Sequence, residues 1–171
     1  MTQQVLYKKE NEIFCNNKRI GYYSKKSILH CFYSVIANQL NLKSRFLKKK
    51  AFLYLAYDGK CYWCQDRISL VYKSDKNLAF TMDHVKPTSK KGTDNILNIV
   101  SSCQKCNTLR QNDYVNPHTK QPFDLDTELN KIQELLYKFV ININDFNTFE
   151  HDLKVTLKCI KNDHDLCFEN L

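Results

Sequence analysis

Two Cys-x-x-Cys pairs, Cys61/Cys64 and Cys103/Cys106, constrain this chain more than any other feature. The turn between paired cysteines lets the backbone curl around one ion and present two thiolates to it. Two such turns complete the four-ligand tetrahedral shell that zinc favours. A closed shell of four thiolates leaves no position for water, so an ion held there staples the fold and does no chemistry itself. A redox role is the alternative for one pair alone, and the presence of two pairs argues against it. The segment from Lys60 to Gln111 is thereby expected to close into one small unit.

The other cysteines, Cys15, Cys31, Cys159 and Cys167, lack pair spacing. They read as buried free thiols, with a second zinc site built from the two ends of the chain as the alternative, since His30 adjoins Cys31 and His164 lies between Cys159 and Cys167. Behind Met1 there is no basic start followed by an apolar run, so no leader is expected. A reducing cytoplasm is the expected home, where paired cysteines bind metal more often than they form disulfides. No apolar run approaches the ~20 residues of a membrane span; the longest, residues 51–57, suits a buried helix.

A formal charge of +8, from 26 Lys+Arg against 18 Asp+Glu, favours a polyanionic partner, most often nucleic acid. A soluble protein with a lysine-rich surface would show the same balance, so position has to decide. Lys43, Arg45, Lys48, Lys49 and Lys50 crowd the first half of a helix expected over 41–57, just before the cysteine bracket. They are the expected phosphate-backbone contacts, with a solvated helix face as the bland alternative.

Along the chain, residues 12–23 form two β-prone runs around Asn16-Asn17 and are expected to make a hairpin. Ser24 caps an amphipathic helix over 25–41, with Ile28, Phe32, Val35, Ile36 and Leu40 at helical spacing. Asp58-Gly59 ends the next helix. Strands are expected over 68–72, 78–83 and 97–101, an ordered loop over 86–95, and a short helix over 104–111. Residues 112–124 read as loop. A helix follows from about Asp126, with Leu129, Ile132, Leu135, Leu136 and Phe139 on one stripe, and a last helix runs from about Phe149 to Lys161.

Hydrolysis of a phosphodiester needs a base that activates water and a cation that neutralises charge developing on the phosphate. Asp83-His84, at the end of an expected strand, offers a carboxylate and an imidazole. In a straight strand these neighbours point to opposite faces, so they meet at one centre only if the backbone curves there. Asn98 and Asn107 add amide oxygens, hard donors suited to magnesium or to orienting an imidazole.

Taken together, Cys61-x-x-Cys64, Asp83-His84-x-x-Pro87, Gly92-Thr93-Asp94, Asn98 and Cys103-x-x-Cys106-Asn107-x-x-Arg110 resemble the HNH nucleases with a zinc-bound ββα-metal core. The resemblance covers nearly a third of the chain. It implies that His84 is the general base and Asn98 orients its ring. It also implies that Asp83 and Asn107 hold one catalytic divalent ion, Mg2+ or Mn2+, and that Arg110 pairs with a phosphate oxygen. Many members carry histidine where this chain has Asn107, which leaves the metal preference open.

The resulting expectation is an α+β protein in three parts. Residues 1–58 form an N-terminal hairpin and basic helical region that contacts DNA, 59–115 the zinc-stapled nuclease core, and 116–171 a C-terminal helical region. The implied activity is metal-dependent cleavage of DNA, of restriction, defence or mobile-element type. A non-catalytic zinc ribbon that binds nucleic acid is the alternative. Cutting both strands would call for a homodimer or two successive nicks, and the 126–139 stripe is either the dimer surface or a face packed on the core.

Overall fold

A computed structural model describes residues 6–9, 12–15, 18–22, 45–70, 75–143 and 146–168. Strands β1 (Leu6–Lys9), β2 (Glu12–Cys15) and β3 (Lys18–Tyr22) form an antiparallel sheet in sequential order. The β2–β3 hairpin is the one expected around Asn16-Asn17. Its register runs from Cys15↔Lys18 to Glu12↔Tyr22, with a shift between Ile13 and Phe14. β1 is an additional strand that its short, lysine-containing sequence did not signal. The helix expected over 25–41, with Cys31, and the side chains of Cys15 and Cys167 lie outside the described residues.

Helix α1 (Arg45–Ala56) ends as its Asp58-Gly59 signal requires. Gly59 takes a left-handed φ of +62° and its N–H reaches back to the Tyr54 carbonyl at 2.8 Å. This six-to-one bond satisfies a carbonyl that the helix end would orphan. The chain then turns through the first cysteine pair, closed by a Cys61 N–H to Asp66 carbonyl bond and a Lys60↔Arg67 bridge.

Strand β4 (Phe80–His84) pairs antiparallel with β5 (Ile99–Cys103), from Phe80↔Cys103 to His84↔Ile99, and helix α2 (Gln104–Arg110) follows directly. Two expectations shift here. Of the strand expected over 68–72, residues 71–72 lie outside the described residues, and Ser69 forms an isolated bridge to Ala79. β5 begins two residues later than expected, because Asn95 accepts the Leu97 N–H and caps a 3-10 turn over Ile96–Asn98.

Helices α3 (Leu125–Ile141) and α4 (Phe146–Phe168) complete the described fold. Asp124 caps α3 by accepting the Thr127 N–H at 2.9 Å, one residue ahead of the expected start. Ile132, Leu136 and Val140 of α3 meet Ala51, Phe52 and Leu53 of α1 and Phe149, Leu153, Leu157 and Ile160 of α4 in one buried cluster. Burying each large apolar side chain is worth about 1.5–3 kcal/mol. The 126–139 stripe therefore packs on the core. α1 contacts α3, α4 and both strands of the β4–β5 hairpin, which couples the helices to the cysteine-bracketed unit.

Candidate functional site

The four bracket cysteines converge. The Sγ atoms of Cys61, Cys64, Cys103 and Cys106 lie within 4.8 Å of one another, with Cys64 and Cys103 4.0 Å apart. A tetrahedral site with Zn–S bonds of about 2.3 Å needs sulfur separations of about 3.8 Å, so the set fits one zinc-sized thiophilic ion with small inward movement. Among the described residues this is the only such cluster of His, Cys, Asp and Glu. Cys159 takes no part in it and is exposed on α4, so the expectation of a buried thiol fails at that position.

Local structure explains the convergence. Cys103 ends β5 and caps α2, its sulfur accepting the Cys106 N–H at 3.4 Å. Tyr62, inside the first pair, donates its N–H to the Ser101 carbonyl of β5 at 2.8 Å and so docks one cysteine turn on the other. Burial pushes the Cys64 thiol up to about 12 and raises that of Cys106. Burial also opposes ionisation at Cys61, but backbone hydrogen bonds from Cys64, Cys103 and Trp63 outweigh it and bring that thiol below its ordinary value. An incoming ion must therefore displace protons held by the cluster.

His118 is a neighbour of this cluster that motif spacing did not single out. It sits in a loop where the Asn116 side chain accepts the His118 and Thr119 N–H groups at 2.9 and 3.1 Å, and its Nε2 lies 3.3 Å from the Cys106 sulfur. Asn116-Pro117 signals the turn, but nothing in the spacing announces its target.

Strand alternation separates Asp83 from His84. Asp83 faces inward and is 2% exposed. Trp63 donates its indole N–H to Asp83 Oδ2 at 2.8 Å, Arg110 Nε donates to the same oxygen at 2.8 Å, and Arg110 Nη2 bonds Oδ1. Arg110 is 1% exposed and spends its remaining donors on the carbonyls of His84, Val85 and Asp113. A guanidinium has five N–H groups, and all five are used here. The Trp63 ring, stacked on Phe123, closes over the pair with the Arg110 carbon 5.5 Å from its centroid.

Two sequence expectations are corrected by this geometry. Arg110 does not present a phosphate contact, because its charge and every donor are consumed inside. Asp83 does not present an open ion ligand, because both its oxygens are covered; Asn107 bonds Thr81 Oγ1 at 3.2 Å through its amide nitrogen. A sequence shows that α2 follows β5, but not that Arg110 at the end of α2 reaches the dry face of β4.

His84 lies on the other face, its side chain 27% exposed. Its Nε2 is 3.3 Å from Asp94 Oδ1, and Lys49 Nζ grips Asp94 Oδ2 at 2.5 Å and the Asp94 carbonyl at 2.8 Å. The Lys49 hydrogen bond, with His84 adding, holds the Asp94 carboxyl below its ordinary value. Asn98 was expected against the ring, yet its side chain holds loop backbone instead: Oδ1 accepts the Lys86 N–H at 2.8 Å, and Nδ2 donates to the Lys86 and Thr93 carbonyls at 3.0 and 2.8 Å. Gly92 permits that closure, since a Cβ there would stand 1.7 Å from the Lys86 carbonyl oxygen.

The basic helix is largely committed inside the fold. Lys48 and Lys49 are buried, and Lys50 lies over the Phe80 ring at 5.4 Å. Lys43 and the side chain of Arg45 fall outside the described residues. In place of the expected phosphate-facing surface, Lys48 is buried and Lys49 bonds Asp94. Half-buried Lys86 and exposed Lys90 and Lys91, on the loop leaving His84, are the lysines nearest that residue in sequence.

Among the described residues no helix is long and apolar enough to cross a membrane. The model of the family described as HNH endonuclease matches residues 61–113. Neither the curated proteins nor the solved structures contain a match to the chain. The matched segment runs from the first ligand cysteine through β4, β5 and α2, and holds both faces of β4. Over residues 61–113 the chain is therefore similar to the HNH endonuclease family.

Proposed function

We propose that the chain is an HNH-type phosphodiesterase that cuts DNA, with zinc as the structural ion of the four-cysteine cluster and His84 as the general base. The observation that carries this reading is the placement of His84. It stands at the end of β4 with its imidazole partly open to solvent, while the neighbouring Asp83, Val85 and Pro87 are buried. A neutral imidazole in this position can accept a proton from an attacking water. Lys86, Lys90 and Lys91, on the loop that follows it in the chain, add positive charge to this segment for a phosphate backbone.

In this family a divalent ion, Mg2+ or Mn2+, supplies charge neutralisation at the phosphate. As arranged here, Asp83 does not fit such an ion, because Arg110 and Trp63 cover its carboxylate. Restriction, defence and mobile-element roles all suit this chemistry, as does a homodimer that pairs two sites for double-strand cutting.

A second reading is favoured by that same closed Asp83–Arg110 pair: a zinc-stabilised nucleic-acid binder without turnover. Cleavage of a set of supercoiled plasmids with Mg2+ or Mn2+ separates the two. Under the nuclease reading the native chain nicks or linearises DNA, and folded, zinc-loaded His84→Ala is slower by about 10²-fold or more. Equal background from both proteins, with DNA binding retained, establishes the binder.

A further inference from the structure

The residue that orients the His84 ring need not be the asparagine that motif spacing suggests. Asn98 has both its amide ends on the backbone of the Lys86–Thr93 loop. Asp94, the next residue after one of those anchored carbonyls, reaches the ring instead. It is itself fixed at two points by Lys49, a residue of α1 that lies outside the segment matched by the family.

We infer that Asp94 is the positioning residue for the His84 imidazole and that Lys49 holds Asp94 in place. A carboxylate can only accept, so a neutral ring beside it must place its proton on Nε2. Nδ1 is then the basic nitrogen and the atom that takes a proton from water. Helix α1 contributes by clamping the clamp: Lys49 fixes one carboxylate oxygen and the adjacent carbonyl, which leaves the other oxygen aimed at the ring. The buried stem of Lys49 limits how far this pair can swing.

The catalytic consequence rests on the nuclease reading, but the tautomer does not, and the test keeps them apart. Zinc-loaded full-length chain labelled with 15N-histidine is measured by long-range proton–nitrogen correlation above the usual imidazole range, with His84→Gln assigning the resonance. The expected result is an Nε2–H ring in the native chain, a mixture of tautomers in Asp94→Ala, partial mixing in Lys49→Met, and recovery of Nε2–H in Asp94→Asn, which retains an acceptor. An Nδ1–H ring in the native chain, or no change in folded Asp94→Ala, overturns the inference.

In plasmid cleavage Asp94→Ala is expected to lower kcat about 10-fold or more with KM little changed, short of the loss on removing the imidazole. Native kcat in Asp94→Ala, alongside an inactive His84→Ala, removes Asp94 from the mechanism. A native chain with no turnover on any plasmid ends the nuclease reading alone, and the tautomer then decides the positioning role.

Discussion

Asp83 and His84 are adjacent in sequence and end up in opposite environments. One face of β4 is dry: Asp83, Arg110 and Trp63 form a closed set in which each carboxylate oxygen and each guanidinium N–H has a partner. The His84 side is open at this end of the strand, though Phe80 on the same side is buried, and His84 meets Asp94, whose side chain is 73% exposed. A buried ion pair that loses one partner leaves an uncompensated charge, whereas an exposed pair is screened by water. The two neighbours should therefore fail in different ways when altered. Loss at Asp83 should be a loss of structure, and loss at His84, under the proposed nuclease reading, a loss of chemistry.

The largest effect that sharpens this contrast should come from removing the zinc proposed for the four-cysteine cluster. Structural zinc in small domains contributes an apparent 10–16 kcal/mol, roughly, at neutral pH. A strong chelator is expected to unfold the 61–113 unit, read as loss of near-ultraviolet dichroism together with released zinc. Retained native dichroism after complete zinc removal would show that the hydrophobic cluster alone holds the unit together.

Next in size, Arg110→Ala should destabilise the chain by about 3–5 kcal/mol in denaturant unfolding, because Asp83 stays buried and charged. Pairing it with Asp83→Asn should recover part of that loss. If Arg110→Ala unfolds at the native midpoint, the dry face is not the buried ion pair described.

His118→Ala leaves the four ligands in place and removes the group beside Cys106. Changing a hydrogen-bond partner of a ligand typically weakens metal affinity about 10–100-fold. Competition with a graded series of chelators should show this weaker zinc retention, and equal retention would make the 3.3 Å contact incidental.

On the His84 side the stability effects should be small. His84→Ala is expected to stay within about 0.5 kcal/mol of the native chain, which separates it from Arg110→Ala even where both are inactive. Smallest of all is the acid dependence of Asp94. Its folded pKa is depressed, so its contribution is present above the unfolded carboxylate value and is lost as pH falls through the folded value. The gap between the native chain and Asp94→Asn should be under about 0.5 kcal/mol, since the group is largely exposed, and should vanish in acid.

The cysteine cluster and the order strand, strand, helix were legible in the sequence because they depend on local spacing. A Cys-x-x-Cys turn curls on itself, Asp58-Gly59 stops a helix, and the periodic residues of α3 mark the face that packs. Alternation along β4 also warned that Asp83 and His84 diverge. Which face would be dry, however, depended on what packs there, and those partners come from far along the chain. Arg110 meets Asp83 across 27 residues, and Lys49 meets Asp94 across 45. The lysines of α1 looked like a nucleic-acid surface because composition records charge and not its partner. Only packing α1 against the β4–β5 hairpin turned Lys49 into an anchor for Asp94, and only docking α2 on β4 turned Arg110 inward. Short-range turns and caps are fixed by neighbouring residues, whereas a side chain's charge partner is chosen by the surface that the tertiary fold brings to it.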